Sequence, residues 1–267
     1  MTKKVAVIGH PISHSLSPKL HNYWIKQYGI DAEYTAIDVK PEELRSKIKE
    51  MQAEGYIGCN VTIPHKEAMI DIVDNIDNRA MITGAINTVL FGKDGKKYGY
   101  NTDAYGFNKN INDRFSKALV LGAGGASRAV CVALLEKGCD VILTNRTRKN
   151  AESLANDIGN IKVIDWDKKE DYLYYIDLLV NTTSLGMKGK KELEINLSNL
   201  NKNAVVTDIV YNPLKTNLLK QAEERGNPIV DGLGMLLYQA QGSFAIWFGI
   251  EPEVNQELRD YILKNIK

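Results

Sequence analysis

Residues 119–128 of the chain read Leu119-Val120-Leu121-Gly122-Ala123-Gly124-Gly125-Ala126-Ser127-Arg128. Aliphatic residues, a glycine-rich turn and the apolar residues 129–135 that follow are typical of a strand that turns directly into a helix. Gly122 permits the tight turn, whereas Gly124 and Gly125 let a phosphate approach the unpaired N–H groups of the helix N-terminus. The stretch therefore predicts a dinucleotide-binding fingerprint of the Rossmann type, with Ser127 in place of its third glycine.

The next predicted strand indicates which dinucleotide binds. A glycine turn alone also occurs in α/β proteins of other functions, so residues beyond it must decide. NAD-binding proteins usually carry an acidic residue about twenty residues later, which holds the ribose 2′-hydroxyl. Here the strand at residues 141–144 ends instead in Asn145-Arg146-Thr147-Arg148. Two guanidinium groups suit a 2′-phosphate, so we predict NADP, although Arg148 fits a solvated helix face equally well.

Strand-like and helix-like segments alternate in two series, which predicts an α/β protein of two domains. The first series has strands at residues 5–8, 33–39 and 56–63, helices from Pro18 and Pro41, and a hairpin at 88–91 and 97–101. A helical segment, 103–115, precedes strands at 117–121, 141–144, 161–164, 178–181 and 205–209, and two helices, 233–248 and 253–264, follow. We place an N-terminal α/β domain at residues 1–104 and a doubly wound nucleotide domain at 105–235, with residues 236–267 returning to the first.

The composition excludes several classes of protein. Of the 267 residues 44% are hydrophobic, and 34 basic against 33 acidic residues leave a formal net charge of +1. This balance gives no global field for nucleic acid or an anionic membrane, and no apolar run is long enough to span a bilayer. The apolar residues 5–8 are too few for a secretory signal, and Cys59, Cys131 and Cys139 have no paired spacing. We therefore expect reduced thiols and a cytoplasmic location.

A loop rich in hydroxyl groups follows the first predicted strand. Residues 9–22 contain the serines Ser13, Ser15 and Ser17 and the histidines His10 and His14 ahead of Pro18. Ser17 is placed to cap the helix that Pro18 begins, but a cap needs only one serine. The others are expected to bind a polyol or a carboxylate.

Polar side chains also end other strand-like segments of this domain. They are Asn60, Thr62 and Lys66, then Asn87, and then Asn101, Thr102 and Asp103. Ligands of open α/β sheets bind at the carboxyl ends of strands, and Pro64 predicts a helix directly after the first of these segments. Each residue alone also fits a turn or strand end, so the grouping around Lys66, and not any single member, indicates a site.

Taken together, these motifs resemble those of the shikimate dehydrogenase family. The resemblance continues through residues 181–187, 208–213 and 231–240, so several independent motifs occur in the family's order. It implies a substrate domain completed by the C-terminal helices, a Rossmann-type NADP domain, and catalysis in the cleft between them. The reaction implied is the reversible, NADPH-dependent reduction of 3-dehydroshikimate to shikimate, in chorismate and aromatic amino acid biosynthesis.

The resemblance also implies roles for individual residues, with Lys66 and Asp103 as the catalytic pair. Shikimate would be bound by Ser15, Ser17, Asn60, Thr62, Lys66, Asn87, Asp103, Tyr211 and Gln239. NADP would be bound by Gly122, Ala123, Gly124, Gly125, Ala126, Arg128, Asn145, Arg146, Thr147, Arg148, Thr183, Ile209, Gly232 and Met235. Of these, Thr183 and Met235 would lie near the nicotinamide, together with Gly234.

The chemistry fits these residue types. Reduction of a ketone by hydride develops negative charge on its oxygen, which a cation or acid within hydrogen-bond reach stabilises. Lys66 can serve in this way and would accept the hydroxyl proton in the reverse direction, while Asp103 orients both groups. Since NADP carries the hydride, we expect no metal.

Alternatives remain open at this point. A quinate/shikimate dehydrogenase that uses NAD or NADP differs only in its substrate, although Asn145 and Arg146 favour NADP. A non-catalytic NADP-binding sensor would share the fold, but the presence of both Lys66 and Asp103 argues against it. Gln239 could also face water, and Met235 could be core packing. We expect a small-molecule substrate as the partner of a monomer or homodimer, without nucleic acid or membrane.

Overall fold

The computed structural model describes residues 2–266, which divide into two units. One unit runs up to Gly106 and resumes at Leu237, and the other comprises Phe107–Leu236. Each unit contains one six-stranded sheet. The predicted α/β fold class is thereby confirmed, including the return of the C-terminal helices to the first unit. No helix among residues 2–266 has the length and apolar character that a membrane span requires.

The first unit is built on a mixed sheet. Its strands are β1 (Lys3–Gly9), β2 (Ala32–Asp38), β3 (Tyr56–Val61), β4 (Asn75–Ile76), β5 (Thr88–Phe91) and β6 (Lys97–Tyr100), in the order β2-β1-β3-β5-β6-β4. The helices begin with α1 (Ser17–Gln27), α2 (Leu44–Ala53), α3 (Asn78–Thr83) and α4 (Asp103–Ile111). Short 3₁₀ helices lie at Pro41–Glu43 and Ala68–Asp71. The β-branched run of β1 is buried, with Val5 and Ile8 fully enclosed, as expected for a strand covered on both faces.

The second unit has an entirely parallel sheet. Its strands are β7 (Lys117–Leu121), β8 (Asp140–Thr144), β9 (Ile161–Ile164), β10 (Leu178–Asn181), β11 (Val205–Asp208) and β12 (Ile229–Val230), in the order β12-β11-β10-β7-β8-β9. Helices α5 (Gly125–Glu136), α6 (Arg148–Ile158) and α7 (Asn217–Glu224) and a 3₁₀ helix (Trp166–Tyr175) connect them, and α8 (Leu233–Phe248) and α9 (Gln256–Leu263) end the chain's regular structure. This order is that of a doubly wound nucleotide-binding sheet.

The direction of β5 positions the polar residues of the first unit. β5 runs antiparallel to both β3 and β6, with Asn60 opposite Thr88 and Thr88 opposite Tyr100. The carboxyl ends of β3 and β6 therefore meet the amino end of β5 at one edge of the sheet. The expectation that Asn87 ends a strand is wrong, because Asn87 precedes β5. The antiparallel direction nevertheless brings it to the predicted edge.

Three predicted helix starts and ends differ from the structure. Ser17 is the first helical residue and not the cap, because its N–H donates to the Oγ of Ser15 at 3.3 Å. No helix starts at Pro64, since the chain turns there, with the N–H of His65 bonded to the carbonyl of Thr62 at 2.9 Å. The helix at 103–115 ends early, at Ile111, because Asn112 adopts a left-handed conformation with φ +37°.

A neutral histidine lies in the aromatic core of the first unit. The ring of His21 in α1 stacks on Tyr34, with centroids 4.2 Å apart, and it is fully buried. Neither ring nitrogen has a hydrogen-bond partner of good geometry. Burial lowers the pKa of His21 from 6.5 to about 3, which the neighbouring Asn60 side chain opposes only in part. The folded protein therefore keeps this ring uncharged at neutral pH.

We expect His21 to make the protein sensitive to acid. Between pH 6.5 and about 3 the unfolded chain binds a proton here that the folded chain does not, so the free energy of unfolding falls as the pH falls through this window. A shift of this size corresponds to at most about 4 to 5 kcal/mol. In urea denaturation at a series of pH values, His21→Phe should lose less stability between pH 6.5 and 3 than the wild type.

The matched control is His14→Gln, because His14 is exposed. It should leave the acid profile unchanged. If His21→Phe and the wild type lose stability in parallel, proton uptake at this ring does not contribute to acid unfolding.

Candidate active site and dinucleotide site

An ion pair lies where β3 and β6 end. Lys66 lies in the turn that follows β3, and Asp103, separated from β6 by Asn101 and Thr102, is the first residue of α4. The Nζ of Lys66 is 2.5 Å from the Oδ2 of Asp103, and the two side chains are only 19% and 9% exposed. A carboxylate shielded from water to this extent is stabilised by a close cation. The pair therefore holds an ammonium group at a defined position on this edge.

Amide side chains hold the other carboxylate oxygen and the backbone N–H of Asp103. The Nδ2 of Asn87 donates to the Oδ1 of Asp103 and to the Oγ1 of Thr102, both at 2.9 Å, and lies 3.4 Å from the Oε1 of Gln239. The Oδ1 of Asn101 accepts from the N–H of Asp103 at 3.0 Å. Asp103 is thus held from three sides, which sets the direction in which Lys66 can point.

Asn60 supports this arrangement through buried hydrogen bonds. Its Oδ1 accepts from the hydroxyl of Tyr34 at 2.6 Å, and its Nδ2 donates to the carbonyl of Asn87 at 3.0 Å and to the Oγ of Ser243 at 2.9 Å. Both ends of the Asn60 amide are therefore occupied within the protein. This residue, predicted to bind substrate, has contacts that position Asn87.

The serine-rich loop packs against the turn that follows β3. A Cβ placed on Gly9, the last residue of β1, would lie 2.5 Å from the Cγ2 of Thr62, so the close approach of these two segments requires a glycine. Ser15 and Thr62 are half-buried, whereas Ser17 is 9% exposed. Ser15 and Thr62 therefore remain partly accessible to solvent, whereas Ser17 is enclosed.

The structure brings together part of the predicted substrate set. Hydrogen bonds and the ion pair connect Lys66, Asn87, Asp103 and Gln239 directly, and Asn60 joins them through Asn87. Ser15 and Ser17 are joined by the hydrogen bond from the Ser17 N–H to the Ser15 Oγ. Tyr211 belongs to the second unit, and burial raises the pKa of its phenol. Sequence reasoning missed Ser243, whose Oγ lies 2.8 Å from that of Thr88. Its spacing of four from Gln239 in a largely apolar helix was the available signal.

The glycine turn of the second unit connects β7 to α5. Gly122 has φ +112°, and a Cβ there would lie 2.7 Å from the Oγ1 of Thr182, so conformation and space both require glycine. Gly124 faces open space, since no heavy atom lies within 4 Å of a Cβ built there. The Oγ of Ser127 accepts from the N–H of Gly124 at 3.1 Å and lies 2.5 Å from the Oγ1 of Thr182. Serine at the third fingerprint position therefore fastens the helix start to the end of β10.

The residues after β8 fit a phosphate. Arg146 is exposed, and it forms no ion pair within residues 2–266. The other two arginines predicted to bind NADP are paired: Arg128 with Asp157 at 2.5 Å, and Arg148 with Glu152 at 2.7 Å and Asp165 at 2.6 Å. With the open helix N-terminus beside Gly124, the exposed guanidinium of Arg146 provides the charge that a 2′-phosphate needs.

A hydrogen-bonded chain fixes the threonine predicted to lie near the nicotinamide. The Oγ1 of Thr183 donates to the Oδ1 of Asn181 at 2.7 Å, and the Nδ2 of Asn181 donates to the Oδ1 of Asp208 at 3.0 Å. Asp208 is fully buried, and this burial raises its pKa. Sequence reasoning did not assign Asn181 or Asp208, although both end parallel strands at the ligand-binding edge of the sheet.

Close backbone contact explains why residue 232, which is predicted to bind NADP, is a glycine. A Cβ on Gly232 would lie 2.3 Å from the carbonyl oxygen of Ile209, so the two chain segments touch only because residue 232 is glycine. Met235 is 8% exposed, and its placement in α8 is compatible with core packing as well as with a ligand contact.

Three family models match successive parts of the chain. The model of the shikimate dehydrogenase substrate binding domain matches residues 7–89, and that of shikimate / quinate 5-dehydrogenase matches residues 108–213. The model of the shikimate 5′-dehydrogenase C-terminal domain matches residues 232–256. Their order along the chain agrees with the two units described above.

Known proteins agree with these matches. The shikimate dehydrogenase (NADP(+)) of Ruegeria sp. (strain TM1040) is 48% identical over 266 residues, which cover 96% of each chain. A shikimate dehydrogenase solved in complex with NADP+ has a TM-score of 0.92 and 37% identity, covering 100% of this chain and 96% of that one. Shikimate 5-dehydrogenase from Thermus thermophilus, solved with NADP(H) and shikimate, has a TM-score of 0.90 and 34% identity, covering 98% and 99%. The chain therefore belongs to the shikimate dehydrogenase family.

Proposed function

We propose that this protein is an NADP-dependent shikimate dehydrogenase, which interconverts 3-dehydroshikimate and shikimate. The observation that carries the proposal is the partly buried pair of Lys66 and Asp103, held by Asn87 at the edge of the first sheet where β3 and β6 end. Membership of the family supports the same reaction. The first unit would bind the substrate, and the second unit would bind NADP.

The residues of the first unit would move and position protons. When bound, NADP(H) supplies or accepts the hydride. The ammonium of Lys66 would donate a proton to the substrate oxygen as the ketone is reduced, and Lys66 would accept the hydroxyl proton in the reverse direction. Asp103 would orient Lys66 and the substrate hydroxyl together, since its Oδ1 is already fixed by Asn87. Ser15, Thr62 and Gln239 would bind the remaining hydroxyls and the carboxylate.

The residues of the second unit would bind NADP by backbone and charge. The N–H groups at the start of α5 would hold the pyrophosphate, because a helix N-terminus leaves these donors unpaired. Arg146 would bind the 2′-phosphate, with Asn145 and Thr147 shaping the loop through the hydrogen bond from the Asn145 Nδ2 to the Thr147 carbonyl at 3.0 Å. Thr183, Ile209, Gly232 and Met235 would border the nicotinamide.

The remaining parts of the proposal concern location and assembly. The three free cysteines are buried, which suits a reducing compartment such as the cytoplasm. Every residue assigned here comes from one chain, so the proposal holds for a monomer and for a homodimer alike.

The direct test is turnover with shikimate and with quinate, each offered with NADP+ and with NAD+, measured by nicotinamide absorbance. We expect turnover with shikimate and NADP+, and kcat/KM values at least about tenfold lower for the other three combinations, which corresponds to 1.4 kcal/mol. Comparable turnover of quinate would identify a broader quinate/shikimate dehydrogenase. Binding of NADP+ without any turnover would indicate a sensor instead.

Replacement of Lys66 tests its acid–base role. Lys66→Ala should lower kcat by about 10²-fold to 10⁴-fold while KM for shikimate changes much less, because the proton donor acts mainly in the transition state. Lys49→Ala is the matched control, since Lys49 is an exposed lysine of α2. A large increase in KM at normal kcat would assign Lys66 to binding alone.

Replacement of Arg146 tests the choice of cofactor. Arg146→Asp should weaken NADP+ binding by at least about tenfold and affect NAD+ much less, because it exchanges the proposed phosphate partner for a repelling carboxylate. Fluorescence titration with both dinucleotides measures the ratio. An unchanged ratio would mean that another group holds the 2′-phosphate.

A further inference from the structure

An acidic residue lies beside the proposed phosphate site. β8 and β9 are parallel neighbours, with Thr144 opposite Ile164 and the Thr144 Oγ1 bonded to the Ile164 carbonyl at 3.1 Å. Asn145 and Asp165 follow these two residues directly, so their backbones leave adjacent strands at the same edge, about 5 Å apart. Asp165 is therefore next to the loop that carries Arg146.

An unpaired carboxylate at this place would weaken the binding of NADP. A negative side chain near the 2′ position repels a phosphate and accepts hydrogen bonds from a free 2′-hydroxyl, which favours NAD. The side chain of Asp165 is 64% exposed, so it is not removed from the field by burial. The chain must neutralise it if NADP is to be preferred.

Arg148 is placed to provide that neutralisation. Its Nη1 lies 2.6 Å from the Oδ1 of Asp165, and its Nε lies 2.7 Å from the Oε1 of Glu152, one turn further along α6. Two edges of the guanidinium are thereby occupied by carboxylates. Arg146, two residues earlier, forms no such pair within residues 2–266. The two arginines of this loop therefore stand in different electrostatic environments.

We propose that Arg148 determines cofactor preference without binding the cofactor: it screens Asp165 from the 2′-phosphate that Arg146 binds. The inference rests on the proposed function, because it presupposes a preference for NADP. Arg148 is on this account a positioning and screening residue, and Asp165 is the group that would favour NAD if it were left without its cation.

The test compares the dissociation constants of NADP+ and NAD+ for four forms of the full-length protein. Arg148→Ala should weaken NADP+ binding by about threefold to tenfold, as expected for an uncompensated charge near the surface, and leave NAD+ binding unchanged or tighter. Adding Asp165→Asn to Arg148→Ala should restore the NADP+ affinity of the wild type. The control, Arg148→Ala with Glu152→Gln, should restore less, because Glu152 lies about 6 Å further along the helix axis.

Salt provides a second readout. The difference between the wild type and Arg148→Ala should shrink as ionic strength rises from about 0.05 M to 0.5 M, because an unscreened carboxylate acts through the solvent. If Arg148→Ala acted only by displacing the loop, the binding of NADP+ and of NAD+ would weaken together, and Asp165→Asn would not restore either.

The outcomes separate this inference from the proposed function. If Arg148→Ala with Asp165→Asn binds NADP+ as weakly as Arg148→Ala alone, while NAD+ binding is unchanged, Arg148 contacts the phosphate and the screening role is wrong. If the wild type prefers NADP+ and Arg148→Ala does not change that preference, the screening role also fails, while the proposed function stands. If the wild type itself shows no preference for NADP+, the proposed cofactor is wrong.

Discussion

The pairing of Lys66 with Asp103 is the contact on which the polar edge of the first unit depends. A carboxylate that is only 9% exposed must keep its cation, since removal of one partner from a shielded pair costs several kcal/mol. That requirement fixes the turn after β3 against the start of α4. Asn87 adds a hydrogen bond to the second carboxylate oxygen of Asp103, and Asn101 fixes the position of Asp103 by accepting from its backbone N–H.

The antiparallel β5 makes this arrangement possible. A strand in the opposite direction would have sent Asn87 to the far edge of the sheet, away from Asp103. Asn60 donates to the carbonyl of Asn87, and Ser243 bonds in turn to Asn60, so the residues in contact with the ion pair are supported by a second layer of buried hydrogen bonds. Such fully satisfied networks restrict side chains to one arrangement. The proton donor proposed for the reaction is consequently held in position before a substrate binds.

Much of this could be predicted from sequence, because the deciding signals are local. The β-branched runs and the glycine turn specify the parallel sheet of the second unit, and family resemblance identified Lys66 and Asp103. The wrong predictions share a physical cause: the cap role of Ser17 and the helix at Pro64 were inferred from residue type, whereas a neighbouring hydroxyl and a tight turn decide them. Likewise, nothing in the local pattern of Arg148 reveals its pairing with Asp165, which directly follows the neighbouring strand β9.

The two units use different means of recognition. The second unit presents backbone N–H groups and the exposed guanidinium of Arg146, which suit an anion. The first presents a charged pair among amides and hydroxyls, which suits a polyol that must exchange a proton. The most direct test of the central claim is a crystal structure of the wild type with shikimate and NADP+. We predict that the Nζ of Lys66 and a carboxylate oxygen of Asp103 lie within about 3 Å of shikimate hydroxyl oxygens. A well-ordered shikimate bound at another place, without contact to Lys66, would contradict the account.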